Sequence, residues 1–329
     1  MLRFLHSIWF PIFLGMAVVF TVCKETTCTP ASQEISITTA LPAAPSIWHA
    51  PDIQTLGIDT QSKLILYGRE LFSNTATFLG PRGSIANLSN GMNCQNCHLD
   101  AGTRPYANAL AAVAATYPIF KARSGRVESI EFRINDCMQR SMNGKTLDSL
   151  SREMRAMVAY IKWVGKGVPV GKRPSGAGTE ELTVLNRAAD PLKGKALYEQ
   201  QCQRCHNANG DGQLRPDSMG YVYPPLWGPH SFNVSAGMYR ISKLAGYIKN
   251  NMPFGMATYQ EPKLTSEESW DLAAFIASQP RPVKKFTQDW PDISKKSFDY
   301  PFGPFTDSFT AIQHKYGPFT MMQKTVSKK

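Results

Sequence analysis

Two pentapeptides carry the residues with the clearest chemistry in this chain. CQNCH spans residues 94–98 and CQRCH spans residues 202–206. Two thiols separated by two residues can bond the two vinyl groups of a porphyrin, and the histidine that follows places an imidazole on the iron. A redox disulfide or half of a zinc site would need only the cysteines. The pattern therefore predicts two covalent haem c groups, attached at Cys94/Cys97 and Cys202/Cys205, with His98 and His206 as proximal ligands.

The second haem needs a sixth iron ligand from the residues that follow its motif. The candidates are Met219, His230, Met238, Met252 and Met256. Met252 lies in NNMPFGM, directly before a proline and 46 residues after His206. Small cytochromes present their distal methionine on an extended loop at this place, so Met252 is the preferred ligand and Met256 its competitor. Histidine–methionine ligation gives a relatively high potential, suited to passing electrons outward.

The first haem has a different candidate ligand. Cys137 lies 39 residues after His98 in FRINDCMQRSMNGK, where Met138 and Met142 are the alternatives. Cys137 could also be a buried free thiol, or pair with Cys23 or Cys28. A free thiol in an oxidising compartment is exposed to oxidation unless something holds it. Iron would hold it as a thiolate, and the nearby Arg133 and Arg140 would favour that charge state. Such a haem has a low potential and a nucleophilic sulfur.

Basic residues are concentrated in one part of the chain. The formal net charge is +11 over 329 residues, and residues 102–173 contain 13 Lys/Arg against 5 Asp/Glu. This stretch has no Lys/Arg-rich run and no interleaved aromatic residues, the patterns that nucleic-acid binding favours. The charge distribution instead indicates a small, doubly charged anionic substrate and no nucleic-acid partner.

The N-terminus has the pattern of an export segment. An apolar stretch from Ile8 to Val22 follows Arg3 and is about fifteen residues long, which is short for a membrane span. We therefore expect residues 1–22 to be a signal peptide or an N-terminal anchor, with lipid attachment at Cys23 as the alternative to cleavage. Either version predicts a periplasmic protein whose only membrane contact is that anchor. Residues 23–46 are predicted to be a flexible leader.

The rest of the chain divides into two related halves and a tail. Short helix signals, GRELF at 68–72 and GKALY at 194–198, precede the two haem motifs. Amphipathic helices close both halves, at 151–164 and 265–278, the latter with a capping box formed by Thr265 and Glu268. The predicted fold is mainly α, with two cytochrome c-type domains in tandem, each wrapped around a covalent haem, and an irregular C-terminal tail packed on the body. The predicted bounds are 47–170 for domain 1, 171–181 for the linker, 182–285 for domain 2 and 286–329 for the tail.

One long segment resembles a known family. Residues 94–145, and above all RINDCMQRSMNGK, are similar to the periplasmic dihaem thiosulfate dehydrogenases, and so are YPFGPFTD (300–307) and QHKYGPF (313–319). The resemblance runs from about residue 60 to the end of the chain. It implies His98–Cys137 ligation of the catalytic haem. It also implies the oxidative coupling of two thiosulfates to tetrathionate, or the reverse.

The resemblance also implies roles at the substrate site. Two thiosulfate dianions about 5 Å apart repel by roughly 13 kcal/mol at an effective dielectric constant of about 20. Arg123 and Arg133 match the active-site arginines of the family, and Ser141 could donate a hydrogen bond to a sulfonate oxygen. Cys137 would bond the outer sulfur of one thiosulfate, and the second would attack that adduct. Electrons would pass through the second haem to a small cytochrome c or an iron–sulfur carrier.

Two other functions are consistent with the same motifs. One is the related sulfur-oxidation cytochrome subunit that loads thiosulfate onto a carrier protein, which fits RINDCMQRSMNGK less well. The other is a plain dihaem electron-transfer module with a structural Cys137. The physiological direction of the reaction is not encoded in any of these motifs.

Overall fold

A computed structural model describes residues 46–326, with side chains through residue 323. The predicted export segment, Cys23, Cys28 and nearly all of the leader lie outside the described residues. Helices make up 40% of the structure and strands 5%, which agrees with the predicted mainly α class. No helix between residues 46 and 326 has the length and apolar character that crossing a bilayer requires.

The first module surrounds the CQNCH motif. Asp59 begins its first helix by accepting hydrogen bonds from the backbone N–H groups of Gln61 and Ser62. Ser151 begins its last helix in the same way, by accepting from Met154 N–H. The elements are α1 (Thr60–Ser73), α2 (Thr75–Leu79), a 3₁₀ turn (Cys94–Asn96), α3 (Leu99–Gly102), α4 (Val113–Thr116), the antiparallel hairpin of β1 (Ile119–Lys121) and β2 (Arg126–Glu128), α5 (Ile130–Arg140) and α6 (Arg152–Val164).

The second module repeats this plan around CQRCH. Its last helix begins at the capping box predicted from the sequence, in which the Thr265 hydroxyl accepts from Glu268 N–H and the Glu268 carboxylate accepts from Thr265 N–H. The elements are α7 (Pro191–Gln201), α8 (Gln203–His206), the hairpin of β3 (Gln213–Leu214) and β4 (Tyr221–Tyr223), α9 (Ile241–Asn251) and α10 (Ser266–Ser278).

The first and last helices of each module cross at a glycine. A Cβ atom on Gly68 of α1 would lie 2.1 Å from the carbonyl oxygen of Ala156 in α6. A Cβ atom on Gly194 of α7 would lie 2.0 Å from the carbonyl oxygen of Asp271 in α10. The two modules therefore share one close helix crossing, as the sequence repeat predicted.

The tail packs along both modules, as predicted. It contains a 3₁₀ turn (Ile293–Lys295) and two short helices, α11 (Ala311–Tyr316) and α12 (Thr320–Val326). Phe319 and Met322 are buried in the apolar core of the second module. Near its start, the Asp289 carboxylate accepts from the Arg140 guanidinium of the first module. The exact bounds predicted for domains, linker and tail stay predictions.

Helix α9 joins the second module to the haem motif of the first. The hydroxyl of buried Tyr247 donates a hydrogen bond of 3.1 Å to the carbonyl oxygen of Asn96, inside CQNCH. The Asn251 amide donates to the carbonyl oxygen of Tyr106 at 3.3 Å. Because α9 leads directly into Met252, these contacts bring the loop that carries the candidate distal methionine next to the first haem motif.

Candidate functional site

Each motif histidine is oriented by a backbone carbonyl. Nδ1 of His98 lies 2.6 Å from the oxygen of Asn108, and Nδ1 of His206 lies 2.8 Å from the oxygen of Pro224. A histidine that donates from Nδ1 to a carbonyl presents a basic Nε2 to a metal. Burial lowers the pKa of His98 to about 4 and also lowers the pKa of His206, so both imidazoles are neutral. Both rings are therefore prepared for an axial iron bond.

The motif cysteines are equally suited to covalent attachment. Cys94, Cys97, Cys202 and Cys205 are free thiols in the structure. Burial raises the pKa of Cys94, Cys97 and Cys202 to about 12. Cys97 packs against the apolar cores of both modules, while Cys94 packs against the first and Cys202 against the second. Neutral thiols, apolar surroundings and an oriented imidazole are what a thioether-linked haem requires, so the residues at both motifs fit the group.

Cys137 lies close to the first motif. It occupies α5, and its charge contributes to raising the pKa of Cys94 and Cys97 after the larger effect of burial. Attraction to Cys137 is in turn the largest cause of the raised pKa of Arg133, which precedes it by one helical turn. Cys137 forms no disulfide, and the structure brings this candidate iron ligand within electrostatic reach of both attachment cysteines and of one guanidinium.

The carboxylate that precedes Cys137 in α5 holds three arginines. Asp136 is buried, and it accepts from Arg123, from Arg133 Nη1 at 2.6 Å and from Arg140 Nε at 2.5 Å. Burial by itself would raise the pKa of Asp136, but the three guanidinium charges outweigh it and leave that pKa lowered. Asp136 therefore stays ionised and fixes the arginine cluster.

The three arginines differ in the donors that they have left. A guanidinium has five N–H donors. Arg140 directs all three of its nitrogens to carboxylates, because it also forms a bidentate pair with Asp289 of the tail at 2.7 and 2.8 Å. Arg123 and Arg133 each direct one nitrogen to Asp136. Arg140 is consequently a structural residue, whereas Arg123 and Arg133 keep donors for an anion.

A cavity gives access to this cluster from outside. Its volume is about 870 Å³, and Arg123, Asp136, Arg140 and Asp289 contribute to its wall. Cys137 does not belong to that wall. The cavity therefore exposes Arg123 and Arg140 but neither Arg133 nor the sulfur, and the chemistry is better located from Cys137 and its neighbours than from this opening.

Ser141 ends the helix that carries Cys137. Its backbone N–H donates to the carbonyl oxygen of Cys137 at 2.8 Å, and its φ and ψ of −72° and −38° are still helical. The two side chains therefore share a face of α5, as the spacing predicted. The Ser141 hydroxyl makes no hydrogen bond with the residues that the structure describes, so it keeps a donor for a ligand.

The candidate ligands of the second haem differ in burial and in the hydrogen bonds that they make. Met252 directly follows α9 and packs, partly buried, against the core of the second module. Met256 is 50% exposed, and its sulfur accepts from the Arg204 guanidinium at 2.9 Å. Met238 is buried and accepts from the Asn108 amide at 3.4 Å. His230 is exposed. Of these four candidates, Met252 is the one whose sulfur packs at the edge of the core and accepts no hydrogen bond from the described residues.

Comparison with known families matches both halves. Residues 85–170 match the family described as "SoxA/TsdA, cytochrome c domain", and residues 192–280 match "Cytochrome c". A thiosulfate dehydrogenase of Allochromatium vinosum is 40% identical over 223 residues, which cover 67% of this chain and 78% of that protein. The chain belongs to the thiosulfate dehydrogenase family. The predicted pair of cytochrome c domains in tandem is thereby confirmed, and with it covalently bound haem c.

Other members of the thiosulfate dehydrogenase family agree with this assignment. The enzyme of Psychrobacter arcticus is 37% identical over 74% of this chain and 71% of its own length. Among solved structures, thiosulfate dehydrogenase (TsdBA) from Marichromatium purpuratum has a TM-score of 0.66 and 33% identity over 73% of this chain. The chain spans half the length of that structure. The L-cysteine S-thiosulfotransferase subunit SoxA of Rhodovulum sulfidophilum matches more distantly, at 26% identity over 39% of the chain.

Several residues of the site were absent from the sequence prediction. Asp136 could have been found, because it lies three residues after Arg133 and four before Arg140, which is the spacing of neighbours on a helix. Asp289 gave no local signal, since it reaches Arg140 from the distant tail. Tyr117, Lys121 and Glu128 come from the hairpin region before α5 and are brought to Arg133 by tertiary packing.

Proposed function

We propose that the protein is a thiosulfate dehydrogenase that couples two thiosulfates to tetrathionate and also supports the reverse reaction. The single observation that carries this proposal is the position of Cys137. It lies within electrostatic reach of both attachment cysteines and of Arg133, the least buried of the three arginines held by Asp136. A nucleophilic sulfur beside oriented cations is what the joining of two sulfur dianions requires.

The proposed haem sites follow from the same geometry. Cys94, Cys97 and His98 hold the first haem with Cys137 as its distal ligand, and Cys202, Cys205 and His206 hold the second with Met252. The free position of the Met252 sulfur, compared with the Met256 sulfur bonded to Arg204, supports this choice. When bound, the haems supply two one-electron acceptors and a path to an external carrier.

The proposed chemistry at Cys137 balances with the external electron carrier as the oxidant, which would receive two electrons by way of the haems. Its thiolate forms a sulfur–sulfur bond with the outer sulfur of one thiosulfate, and this oxidation releases two electrons. A second thiosulfate then attacks the outer sulfur of the adduct, forms the central bond of tetrathionate and restores the Cys137 thiolate. No proton is consumed or released. The protein holds the two anions in line, and the Cys137 thiolate is regenerated at the end of each cycle.

The cations have separate tasks in this proposal. Arg123 and Arg133 bind sulfonate oxygens with the donors that Asp136 leaves free, and they offset the repulsion between the dianions. Ser141 donates its hydroxyl from the same helix face as Cys137. Arg140 holds the cluster in place through Asp136 and Asp289.

The sulfur-oxidation subunit that loads thiosulfate onto a carrier protein is the second candidate. It is favoured by the shared family model for residues 85–170. It is disfavoured by the lower identity and shorter coverage of the SoxA match compared with the thiosulfate dehydrogenases. If the protein were a plain electron-transfer module, the unused N–H donors of Arg123 and Arg133 and the hydroxyl of Ser141 would have no role.

The proposed setting is the periplasm, with a small cytochrome c or an iron–sulfur protein as electron acceptor. The chemistry of haem c attachment and the apolar stretch before residue 23 support export. Any membrane contact would be made by that N-terminal segment.

A steady-state assay tests the function directly. Purified holoprotein with thiosulfate and ferricyanide should reduce the acceptor and accumulate tetrathionate at one molecule per two electrons. The Cys137→Gly variant, with both haems still attached, should lose at least about 99% of this activity, because removal of a catalytic nucleophile costs several orders of magnitude. No thiosulfate-dependent reduction by the unmodified protein would refute the assignment. Undiminished activity of Cys137→Gly would refute the proposed mechanism but leave the assignment standing.

A further inference from the structure

The loop that orients the first motif histidine belongs to the first module by sequence but packs against the second. The carbonyl oxygen of Asn108 lies 2.6 Å from Nδ1 of His98. Ala107, the residue directly before Asn108, is fully buried in the apolar core of the second module. Residues 106–108, the proximal loop, therefore depend on the second module for their position.

Asn108 holds the first haem motif at two points. Its backbone adopts the left-handed conformation, with a φ of 55°, which asparagine tolerates better than most residues. Its carbonyl oxygen faces the His98 ring, and its side-chain amide donates at 3.2 Å to the carbonyl oxygen of Cys97. Because Cys97 directly precedes His98, one residue binds both the imidazole and the backbone that carries it.

The same amide reaches the second module. Asn108 Nδ2 also donates to the sulfur of Met238 at 3.4 Å, and Met238 is buried in the core of the second module. An amide nitrogen has two N–H donors, so the Cys97 carbonyl and the Met238 sulfur use both of them. A second contact comes from the end of α9, where the Asn251 amide donates to the carbonyl oxygen of Tyr106.

The second motif histidine is oriented from within its own module. The carbonyl oxygen that faces His206 belongs to Pro224, whose side chain has no donor. Two residues later, Leu226 N–H donates to the carbonyl oxygen of Gly210 at 2.8 Å, which anchors this stretch beside its own haem motif. The two modules therefore share the histidine–carbonyl contact but differ in what holds the carbonyl.

The strength of this contact affects the iron that the histidine binds. A carbonyl that accepts from Nδ1 raises the basicity of Nε2. A more basic axial ligand stabilises ferric iron relative to ferrous iron and so lowers the haem potential. A change that moves the Asn108 carbonyl away from His98 should therefore raise the potential of the haem attached at Cys94 and Cys97.

We propose that Asn108 is a positioning residue, which sets the potential of the first haem through His98 and makes that potential depend on Met238 of the second module. The inference rests on the proposed function, in which His98 is an axial ligand of the first haem. Since electrons leave the first haem for the second, the driving force of that step is then fixed by the contact between the modules.

A redox titration of the holoprotein, followed by visible absorption, measures both potentials without turnover. Asn108→Gly keeps the left-handed conformation accessible but removes both hydrogen bonds of the amide. It should shift the ferric–ferrous equilibrium of the first haem about threefold to tenfold toward ferrous iron, a rise of up to about 59 mV for a one-electron couple. The equilibrium of the second haem should change by less than about 1.5-fold, because the contact between Pro224 and His206 is unaltered.

Asn143→Gly is the matched control for this variant. Asn143 also has a positive φ, of 44°, and its side-chain oxygen accepts from the amide of Asn233 in the second module at 3.0 Å. The control therefore loses a hydrogen bond between the modules at a residue that is bonded to neither motif histidine. It should change the equilibrium of the first haem by less than about 1.5-fold. Equal shifts in Asn108→Gly and Asn143→Gly would reduce the effect to a general loosening of the modules and overturn the proposal.

A substitution in the second module tests the dependence itself. Met238→Leu keeps an apolar side chain of similar volume but removes the sulfur that accepts from Asn108. It should raise the potential of the first haem in the same direction as Asn108→Gly, by about twofold to threefold in the equilibrium constant. Met322→Leu makes the same chemical change at a buried position of the same core and should leave both potentials unchanged. A shift confined to the second haem, or no shift, in Met238→Leu would overturn the proposal.

Failure of this inference can be separated from failure of the proposed function. Both potentials are measured in the absence of thiosulfate, whereas the function is tested by turnover of the unmodified protein. If the unmodified protein turns over thiosulfate and Asn108→Gly leaves the potential of the first haem unchanged, this inference fails while the proposed function stands. If the unmodified protein does not turn over, the proposed function itself fails.

Discussion

Asp136 is the residue on which the geometry of the cation cluster depends. Its carboxylate is buried and ionised, and its two oxygens orient guanidinium groups from the hairpin loop and from two turns of α5. An isolated buried carboxylate would be strongly unfavourable, so the three arginines stabilise it as much as it orients them. The cluster has to be considered as one unit.

Replacement of Asp136 by asparagine should therefore affect both stability and binding. The amide keeps the shape but loses the charge, which leaves buried Arg140 and partly buried Arg123 with one carboxylate fewer. We expect the free energy of unfolding to fall by about 3 kcal/mol, the scale of breaking a buried ion pair. Chemical denaturation followed by far-UV circular dichroism measures this, and the KM for thiosulfate should rise in the same variant.

Glu267→Gln is the comparison for that experiment. Glu267 pairs with Arg187 at 3.1 Å, but its side chain is 69% exposed. Surface ion pairs contribute at most about 1 kcal/mol, so this variant should unfold nearly like the unmodified protein. If Asp136→Asn lowers the free energy of unfolding by no more than Glu267→Gln does, the structural role assigned to the buried carboxylate is contradicted.

At the scale of elements, the two modules depend on the same glycine-mediated crossing. At Gly68 and Gly194 the obstacle to a larger residue is a backbone carbonyl of the facing helix, which cannot rotate away as a side chain can. An added methyl group would have to push α1 from α6, or α7 from α10. The first helix of each module also contacts the element that carries its haem motif, so the separation would be transmitted to that motif.

Gly68→Ala and Gly194→Ala should each destabilise the protein despite the better helix propensity of alanine. Overpacking of a tight contact costs about 1–3 kcal/mol, which is several degrees in Tm for a chain of this size. Thermal melts of the two variants measure this. Gly237→Ala is the control, because a Cβ atom there meets nothing within 4 Å. Similar Tm values for all three variants would show that the crossings can relax.

The sequence predicted those elements that are defined by local pattern. The haem motifs, the Thr265–Glu268 capping box, the closing helices and the shared face of Cys137 and Ser141 depend on residues within one or two turns of each other. Contacts between distant segments had no such signature. Asp289 on Arg140, Tyr247 on Asn96 and Trp290 on the Arg123 carbonyl join residues more than 140 positions apart, and only the folded chain reveals them.

At the scale of the whole molecule, the tail is attached by a buried charge cluster. Asp299 is 2% exposed and accepts from Arg240 Nε at 3.0 Å, from Ser297 Oγ at 2.6 Å and from the hydroxyl of Ser242. Burial would raise the pKa of Asp299, but Arg240 and the hydroxyl donors outweigh it and lower the pKa below the ordinary value of 3.8. The cluster ties the tail to the start of α9.

The stability contributed by Asp299 should depend on pH in a defined direction. Since its pKa is lower in the folded state than the ordinary 3.8, its contribution is complete above that value and is lost as the pH falls through the folded pKa. Asp299→Asn should therefore lower the Tm at neutral pH, and the difference from the unmodified protein should shrink below about pH 4. Asp217→Asn, at an exposed pair, should show little difference at any pH. A Tm difference between Asp299→Asn and the unmodified protein that grows as the pH falls would contradict this account.

The contacts of Asp289 and Trp290 with Arg140 and Arg123 also bear on how a preparation of this protein should be judged. Because these two residues belong to the tail, the cation cluster is complete only in a chain that includes residues 289 and 290. A chain that ends early, or is trimmed by a protease after α10, would keep both attachment motifs and their colour while lacking one side of the cluster. Haem absorbance therefore measures the number of chains. The fraction of chains with a complete site has to be measured by the presence of residues 289 and 290, for example by mass spectrometry of the intact protein.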